Sequence, residues 1–412
     1  MKSIYSNVSS LLIVVVLLCV NMQVVAQFSQ NEDQQLVIGH ADTVFSETLQ
    51  EQRDFWIHMP EKIEADKKYP VIYVLDAPDH FYAATGIIKL LTKWNMPPSI
   101  IIGIPNTDRT RDFTPTNVPF QRGRASKTSG GAANFVTFIY KELRPYIENK
   151  YPTDTMSTVI GHSTGGLFVL YAYINHPEVF DHYLAIDPSL WWDKEQLVKQ
   201  SEKLLNESRH KDKSLYIAVA NSNKIDTTKV RRLKSESSEM LRANLNFHDI
   251  LTRNKAFLDV TWDYQGAEDH GSIIVPGLYN GLRSLFSWYP FPERWRFNTP
   301  KAYSVEELTA PFYVHFEELS KRFHREVKPD WQFINDVGFF MLTSHKLPKK
   351  AKAYLEMNVK FYPDESRSYV AMGDYFVMQS KKKEAISYFE KAIEMDGNEV
   401  AKEKLSQLNK GK

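Results

Sequence analysis

Apolar and polar positions fall into three regimes along this chain. Leu11 to Val20 is a ten-residue apolar run near the start. From about residue 34 to 290, short apolar runs alternate with segments of helical periodicity, and beyond Trp288-Tyr289-Pro290-Phe291-Pro292 the pattern is helical throughout. In the middle region, Gln35–Gly39 and Arg53–Met59 predict two early strands split by polar turn residues. Tyr69–Asp76, Ser99–Pro105, Tyr183–Asp187 and Leu215–Ala220 are nearly continuous apolar runs. Such runs suit strands buried on both faces, as in parallel sheets covered by helices. Helices are predicted over Asn134–Asn149 and Thr164–Asn175, the second stopping at Pro177. The alternation predicts an α/β fold with a mostly parallel central sheet and a ligand site at the carboxyl ends of its strands.

The last stretch, residues 293–412, predicts a small all-helical domain. Gly338, Ala351, Tyr354 and Pro363 recur 34 to 35 residues later as Gly373, Ala385, Phe389 and Gly397. That period marks tetratricopeptide-like helix pairs, with Tyr369–Asp396 the better copy. An ordinary helical bundle with aromatic core positions would show the same residues. Residues 27–292 then form the α/β unit.

Residues 1–26 read as a secretory signal. Lys2 is the one charge, and Val24-Val25-Ala26 has the small-residue pattern of a cleavage site. The ten-residue run falls short of the ~20 residues that span a bilayer, and Leu17-Leu18 before Cys19 are too bulky for lipoprotein processing. The expected location is periplasmic or secreted, with no membrane span after processing. The whole chain has 51 Lys and Arg against 50 Asp and Glu, and the signal carries only Lys2, so the mature chain is formally neutral. Neutrality argues against nucleic-acid binding. Cys19 is the only cysteine and leaves with the signal, which excludes disulfides, thiolate nucleophiles and cysteine-based metal sites. No metal or cofactor is expected.

The most informative segment is Gly161-His162-Ser163-Thr164-Gly165, between the β-type Thr158-Val159-Ile160 and the apolar Leu167–Ile174. It fits G-x-S-x-G, in which a sharp strand-to-helix turn pushes the serine hydroxyl out of the sheet; a structural turn is the alternative. Ser163 is the expected nucleophile. It needs a base, oriented by an acid, in chain order Ser, acid, His. His270 lies in Gly266–Ser272, a loop after the strand-like Leu258–Tyr264, and is the expected base. His176, His182, His210 and His248 lack such a setting. Asp226, after the strand Leu215–Ala220, is the favoured acid, with Asp187 next. Glu268 and Asp269 are too near His270 in sequence to bond its ring. The backbone N–H groups of Thr164 and Ala77 are the expected oxyanion donors.

Five segments in order carry a resemblance: Tyr73–Asp76, Gly103–Pro115, Gly161–Gly166, Ala185–Trp192 and Asp269–Ser272. They are similar to the putative-esterase family of α/β-hydrolases, which includes enterochelin-type siderophore esterases, esterase D and feruloyl esterases. The resemblance covers about residues 35 to 290. It implies an α/β-hydrolase fold, hydrolysis of a small-molecule ester without a cofactor, and nucleophile and base roles for Ser163 and His270. Ala77 stands where many relatives carry glycine. Asp187 stands where the family often has serine, which leaves a direct role for Asp187 open.

Arg109 and Arg111 either edge the site, where fork-like guanidinium bonds suit carboxylates or catecholates, or fix their own loop through Asp108 and Asp112. Trp191 and Trp192 either stack on an aromatic or sugar moiety or cap the core. The expected activity is ester hydrolysis through an acyl-enzyme, on a siderophore ester or an aromatic or acyl-sugar ester. The alternatives are a scaffold that presents its helical tail to a protein partner, and a serine peptidase.

Overall fold

The structure is a computed structural model that describes residues 36–64, 67–121 and 124–410. The expected secretory signal lies outside the described residues.

Eight strands form one sheet: β1 (His40–Ser46), β2 (Glu51–His58), β3 (Tyr69–Leu75), β4 (Ile100–Ile104), β7 (Thr153–His162), β8 (His182–Ile186), β9 (Ser214–Ala220) and β10 (Asp259–Gln265). A separate hairpin pairs β5 (Phe120–Gln121) with β6 (Arg124–Ala125). The order across the large sheet is β1-β2-β4-β3-β7-β8-β9-β10. The β1–β2 and β2–β4 pairings are antiparallel and the rest parallel. Every residue of β3, β4 and β8 is buried, which is what their unbroken apolar runs predict for strands covered on both sides.

One expectation needs correction. The first strand is His40–Ser46, while residues 36–39 take no regular form. The strand follows the alternation of Val44 and Ser46 with exposed neighbours, in register with β2 from His40 opposite Ile57 to Ser46 opposite Glu51. This edge strand turns Asp42, Val44 and Ser46 inward and leaves Phe45 exposed, so its burial alternates without a matching alternation of polarity, and the apolar triplet Leu36-Val37-Ile38 does not mark it.

Helices cover both faces. Residues 132–150 form one long helical segment with a π turn at Ile139–Leu143, and Thr164–Asn175 packs beside it with Phe113, Phe135 and Phe168 in contact. Helices Ala77–Leu91 and Ile274–Leu285 cover the other face over Ile72, Val74, Leu184 and Tyr216.

After Pro292 the chain is helical, as expected, and its helices from Val305–Arg322 to Glu399–Lys410 share a core that includes Phe312, Ile334, Tyr354, Leu355 and Phe389. Two of the repeated positions meet the same constraint. A Cβ on Gly338 would lie 2.9 Å from Leu355 Cδ2, and one on Gly373 would lie 2.3 Å from Phe389 Cε1. Each glycine lets one helix approach the next closely.

The tail packs against the amino ends of the central strands. Arg325 pairs with Asp154 at 3.1 Å and donates to Lys68 O at 3.0 Å. Those residues lie at the beginnings of β7 and β3. Trp94 meets Phe333, and Arg322 lies over Trp288.

Candidate active site

β7 ends at His162, and the next helix begins at Thr164. Ser163 makes the turn alone, with φ 60° and ψ −118°. A non-glycine residue held there stores on the order of 1–3 kcal/mol of strain. The neighbouring glycines explain how the helix can follow so abruptly: a Cβ on Gly161 would lie 2.4 Å from Gly165 O. Ser163 N donates to Ile186 O at 2.9 Å, which ties the turn to β8. The strain and the tie together hold the hydroxyl above the carboxyl end of the sheet.

His270 stands in the loop after β10, with Nε2 3.0 Å from Ser163 Oγ. Asp269 shapes this loop: its Oδ1 accepts from the N–H groups of Gly271 and Ser272, each at 2.8 Å. Those bonds hold the Asp269 carboxyl below the usual range. His270 N donates to Ser222 Oγ at 2.8 Å, and His162 Nε2 donates to His270 O at 2.7 Å. The rings of His162 and His270 lie 4.5 Å apart. Burial, and then the proximity of His270, push the His162 pKa down to about 4, so the ring beside the base is neutral at physiological pH.

The carboxylate on the far side of His270 is Asp187, with Oδ2 2.6 Å from Nδ1. Asp187 is 1% exposed, and its other oxygen accepts from Ala220 N at 3.2 Å. Its φ of 38° turns the carboxylate off the end of β8 and under the loop. The expectation for Asp226 is therefore corrected. Asp226 is exposed, and its carboxylate accepts from Thr228 N and Oγ1 at 2.9 and 2.7 Å, which holds its pKa low. It caps its own turn. Glu268 likewise accepts from Ser272 Oγ rather than from the imidazole.

Thr164 and Ala77 begin helices at the ends of adjacent strands, β7 and β3. The first N–H groups of a helix have no intrahelical acceptor and carry its positive end. Ala77 follows Asp76, which has left-handed dihedrals of 52° and 49°. The buried Asp76 carboxylate receives Arg109 in two bonds, Nε at 2.8 Å and Nη2 at 3.0 Å, and also a bond from Asn106 Nδ2. Arg109 Nη2 reaches His162 O at 3.3 Å as well. Arg109 thus stands at the site, committed to Asp76.

Arg111 does not. Its Nε donates to Asp112 at 2.7 Å, and its Nη atoms donate to Glu51 at 3.1 and 2.5 Å. Glu51 and Asp112 hold its pKa above the ordinary value. The substrate-facing expectation for Arg111 is replaced by a role in fixing its loop: the side chain binds Asp112 and Glu51 of β2, and the Asp108 carboxylate accepts from Arg111 N at 2.9 Å. The tryptophans divide similarly. Trp192 is buried in the core with Nε1 3.1 Å from Thr116 Oγ1, and Trp191 is partly buried against the same cluster. Capping the core is the reading that this placement supports, and stacking on a substrate is not assigned to Trp192.

Sequence reasoning missed Asp76, His162 and Ser222. His162 was visible as the residue before the nucleophile, but nothing local shows that its ring reaches a carbonyl 108 residues away. Among the described residues, no group of three or more His, Cys, Asp or Glu could hold a metal ion.

A strained serine at a strand-helix elbow, a histidine loop and a buried carboxylate, set at the carboxyl ends of a mostly parallel sheet, define an α/β-hydrolase of the serine type. The family model described as "Putative esterase" matches residues 46–261, more than half of the chain. The chain belongs to that family.

Among curated proteins, the chain is 34% identical over 169 residues to the ferri-bacillibactin esterase BesA of Bacillus subtilis, covering 37% of this chain and 58% of that protein. It is 28% identical over 253 residues to a siderophore enterobactin esterase of Emericella nidulans, covering 53% of this chain and 82% of the other. The structure of an IroE-like serine hydrolase from Shewanella oneidensis superposes with a TM-score of 0.63 at 29% identity, covering 78% of this chain and 99% of that one.

Proposed function

We propose that this protein is a serine ester hydrolase acting on siderophore-type esters through an acyl-enzyme. The observation that carries the reading is the continuous hydrogen-bonded line Ser163 Oγ, His270 Nε2, His270 Nδ1 and Asp187 Oδ2, at 3.0 and 2.6 Å. His270 takes the Ser163 proton as Oγ attacks the ester carbonyl. Asp187 holds the ring with its Nδ1 proton inward and offsets the charge of the imidazolium. The N–H groups of Thr164 and Ala77 face the developing oxyanion. His270 then protonates the leaving alkoxide, and water repeats the sequence on the acyl-enzyme. The substrate class is supported by the names of the similar bacterial and fungal proteins, a ferri-bacillibactin esterase and a siderophore enterobactin esterase.

The test is product analysis of a catecholamide trilactone siderophore, iron-free and iron-loaded, alongside p-nitrophenyl acetate. Release of the linear hydroxy acid, lost in Ser163→Ala, is the expected result. Hydrolysis of the simple ester alone would leave an esterase with another substrate. Turnover that survives Ser163→Ala would end the proposal.

The organisation proposed with this reading is a secretory signal over residues 1–26, a catalytic unit over 27–292 and a helical unit over 293–412. A separate tail core supports the last boundary. A second reading adds a docking role for the tail, motivated by a groove of about 690 Å³ lined by Arg296, Glu307, Val314 and Glu318 among others. A pull-down compared with and without the tail tests it, and no tail-dependent partner is the outcome against it.

A further inference from the structure

Ser163 Oγ has a second close neighbour besides the base. Ser189 Oγ lies 3.3 Å away, on a residue only 2% exposed. Its backbone is fixed to the same elbow: Ser189 N donates to Ser163 O at 3.0 Å, and Trp192 N donates to Ser189 O at 3.1 Å. Asn244 Nδ2 holds the preceding carbonyl, Pro188 O, at 3.2 Å. Among the described residues, the Ser189 hydroxyl has no hydrogen-bond partner other than Ser163 Oγ.

Proton counting sets the direction of this bond. Each hydroxyl has one proton. The proton of Ser163 points to His270 Nε2, because attack requires that transfer. A buried hydroxyl with a single neighbour gives its proton to that neighbour rather than leave it unpaired. We infer that Ser189 is a further catalytic residue of this site, donating a hydrogen bond to the oxygen of the nucleophile.

The consequence is geometric and electronic. Ser163 Oγ donates to His270, accepts from Ser189 and keeps one lone pair free, so that lone pair has one direction left for attack. During acylation the Ser163 proton passes to His270 Nε2, the Oγ–carbonyl bond forms, and the carbonyl electron pair moves onto its oxygen. The alkoxide of the substrate then leaves with the proton from His270. During deacylation a water adds to the acyl carbon with loss of its proton to His270, the carbon–Oγ bond breaks, and Oγ recovers a proton from the imidazolium. Ser189 keeps its own proton throughout. Its bond strengthens whenever Oγ gathers negative charge, as hydrogen bonds to charged groups do.

This inference rests on Ser163 as the nucleophile, and one experiment separates the two. Labelling of the full chain by a fluorophosphonate is timed for wild type, Ser163→Ala, Ser189→Ala and Ser189→Thr, with thermal melting of each. The expected result is labelling of wild type, none of Ser163→Ala, and a roughly tenfold slower rate for Ser189→Ala at an unchanged melting temperature. Ser189→Thr, which restores the hydroxyl, recovers most of the rate. A Ser189→Ala rate equal to wild type would overturn the role of Ser189 while leaving Ser163 in place. So would a folded Ser189→Thr as slow as Ser189→Ala. Failure of wild type to label would remove both readings together.

Discussion

His270 Nδ1 lies 2.6 Å from Oδ2 of Asp187, and Asp187 is 1% exposed while His270 is 39% exposed. His270, the proposed base, therefore sits at the mouth of the site, with Asp187, its proposed orienting acid, beneath it. A carboxylate in that position keeps the imidazole in one tautomer and leaves Nε2 open to the serine.

Replacing Asp187 by asparagine preserves shape and removes the charge. The kcat of Asp187→Asn is expected to fall by about 10³ to 10⁴, while Asp226→Asn stays within about twofold, as for most exposed positions away from special features. Steady-state kinetics of the two variants decide it. Equal losses would undo the assignment of the acid.

The strain at Ser163 has its own signature. Ser163→Gly and Ser163→Ala both lack the nucleophile, but only glycine relaxes at φ 60° and ψ −118°. Ser163→Gly is expected to be more stable than Ser163→Ala by about 1 kcal/mol, after the entropy lost on ordering glycine is subtracted. Denaturant midpoints of the two inactive variants measure this.

His182, at the start of β8, has both ring nitrogens buried with no hydrogen-bond partner among the described residues, against Phe286 and Trp288. Burial pushes its pKa down to about 4 from the ordinary 6.5. Between those values the unfolded chain binds a proton that the native state refuses, so stability falls as pH drops from about 6.5 toward 4. The loss from this group is on the order of a few kcal/mol. His182→Leu is expected to flatten that decline. Urea midpoints at pH 7 and pH 4.5 for both proteins give the comparison, and an unaltered slope in the variant would contradict it.

Arg109 and Arg111 are two residues apart yet serve different partners. Arg109→Gln leaves the buried Asp76 carboxylate without its paired guanidinium beside Ala77, and kcat is expected to drop at least tenfold. Arg111→Gln loosens the contact with Glu51 and lowers the melting temperature with kcat/KM changed only a few fold. Kinetics and melting of both variants form the check, with the reverse pattern as the contrary outcome.

The elements that could be read from sequence are those whose cause is local. The elbow at Ser163 was legible because glycines, a strand and an apolar helix surround it within twelve residues, and the loop of His270 because turn residues frame it after a strand. The carboxylate that meets His270 was not, since Asp187 reaches it through a left-handed residue at the end of β8 and a contact across 83 residues. A buried carboxylate closing an apolar run was the one available signal, because such a group demands a partner. Which of its two readings Arg111 takes was not legible for the same reason, as its partner Glu51 lies 60 residues upstream. The first strand was misread because an apolar triplet is a poor guide at a half-exposed edge.

The seam at Arg325 sets a length scale. It grips Asp154 near the start of β7, while Ser163, the proposed nucleophile, stands just past the end of that strand, a span of about 30 Å for extended chain. A seam that far from the reacting hydroxyl joins the helical tail to the sheet at the end opposite the ester.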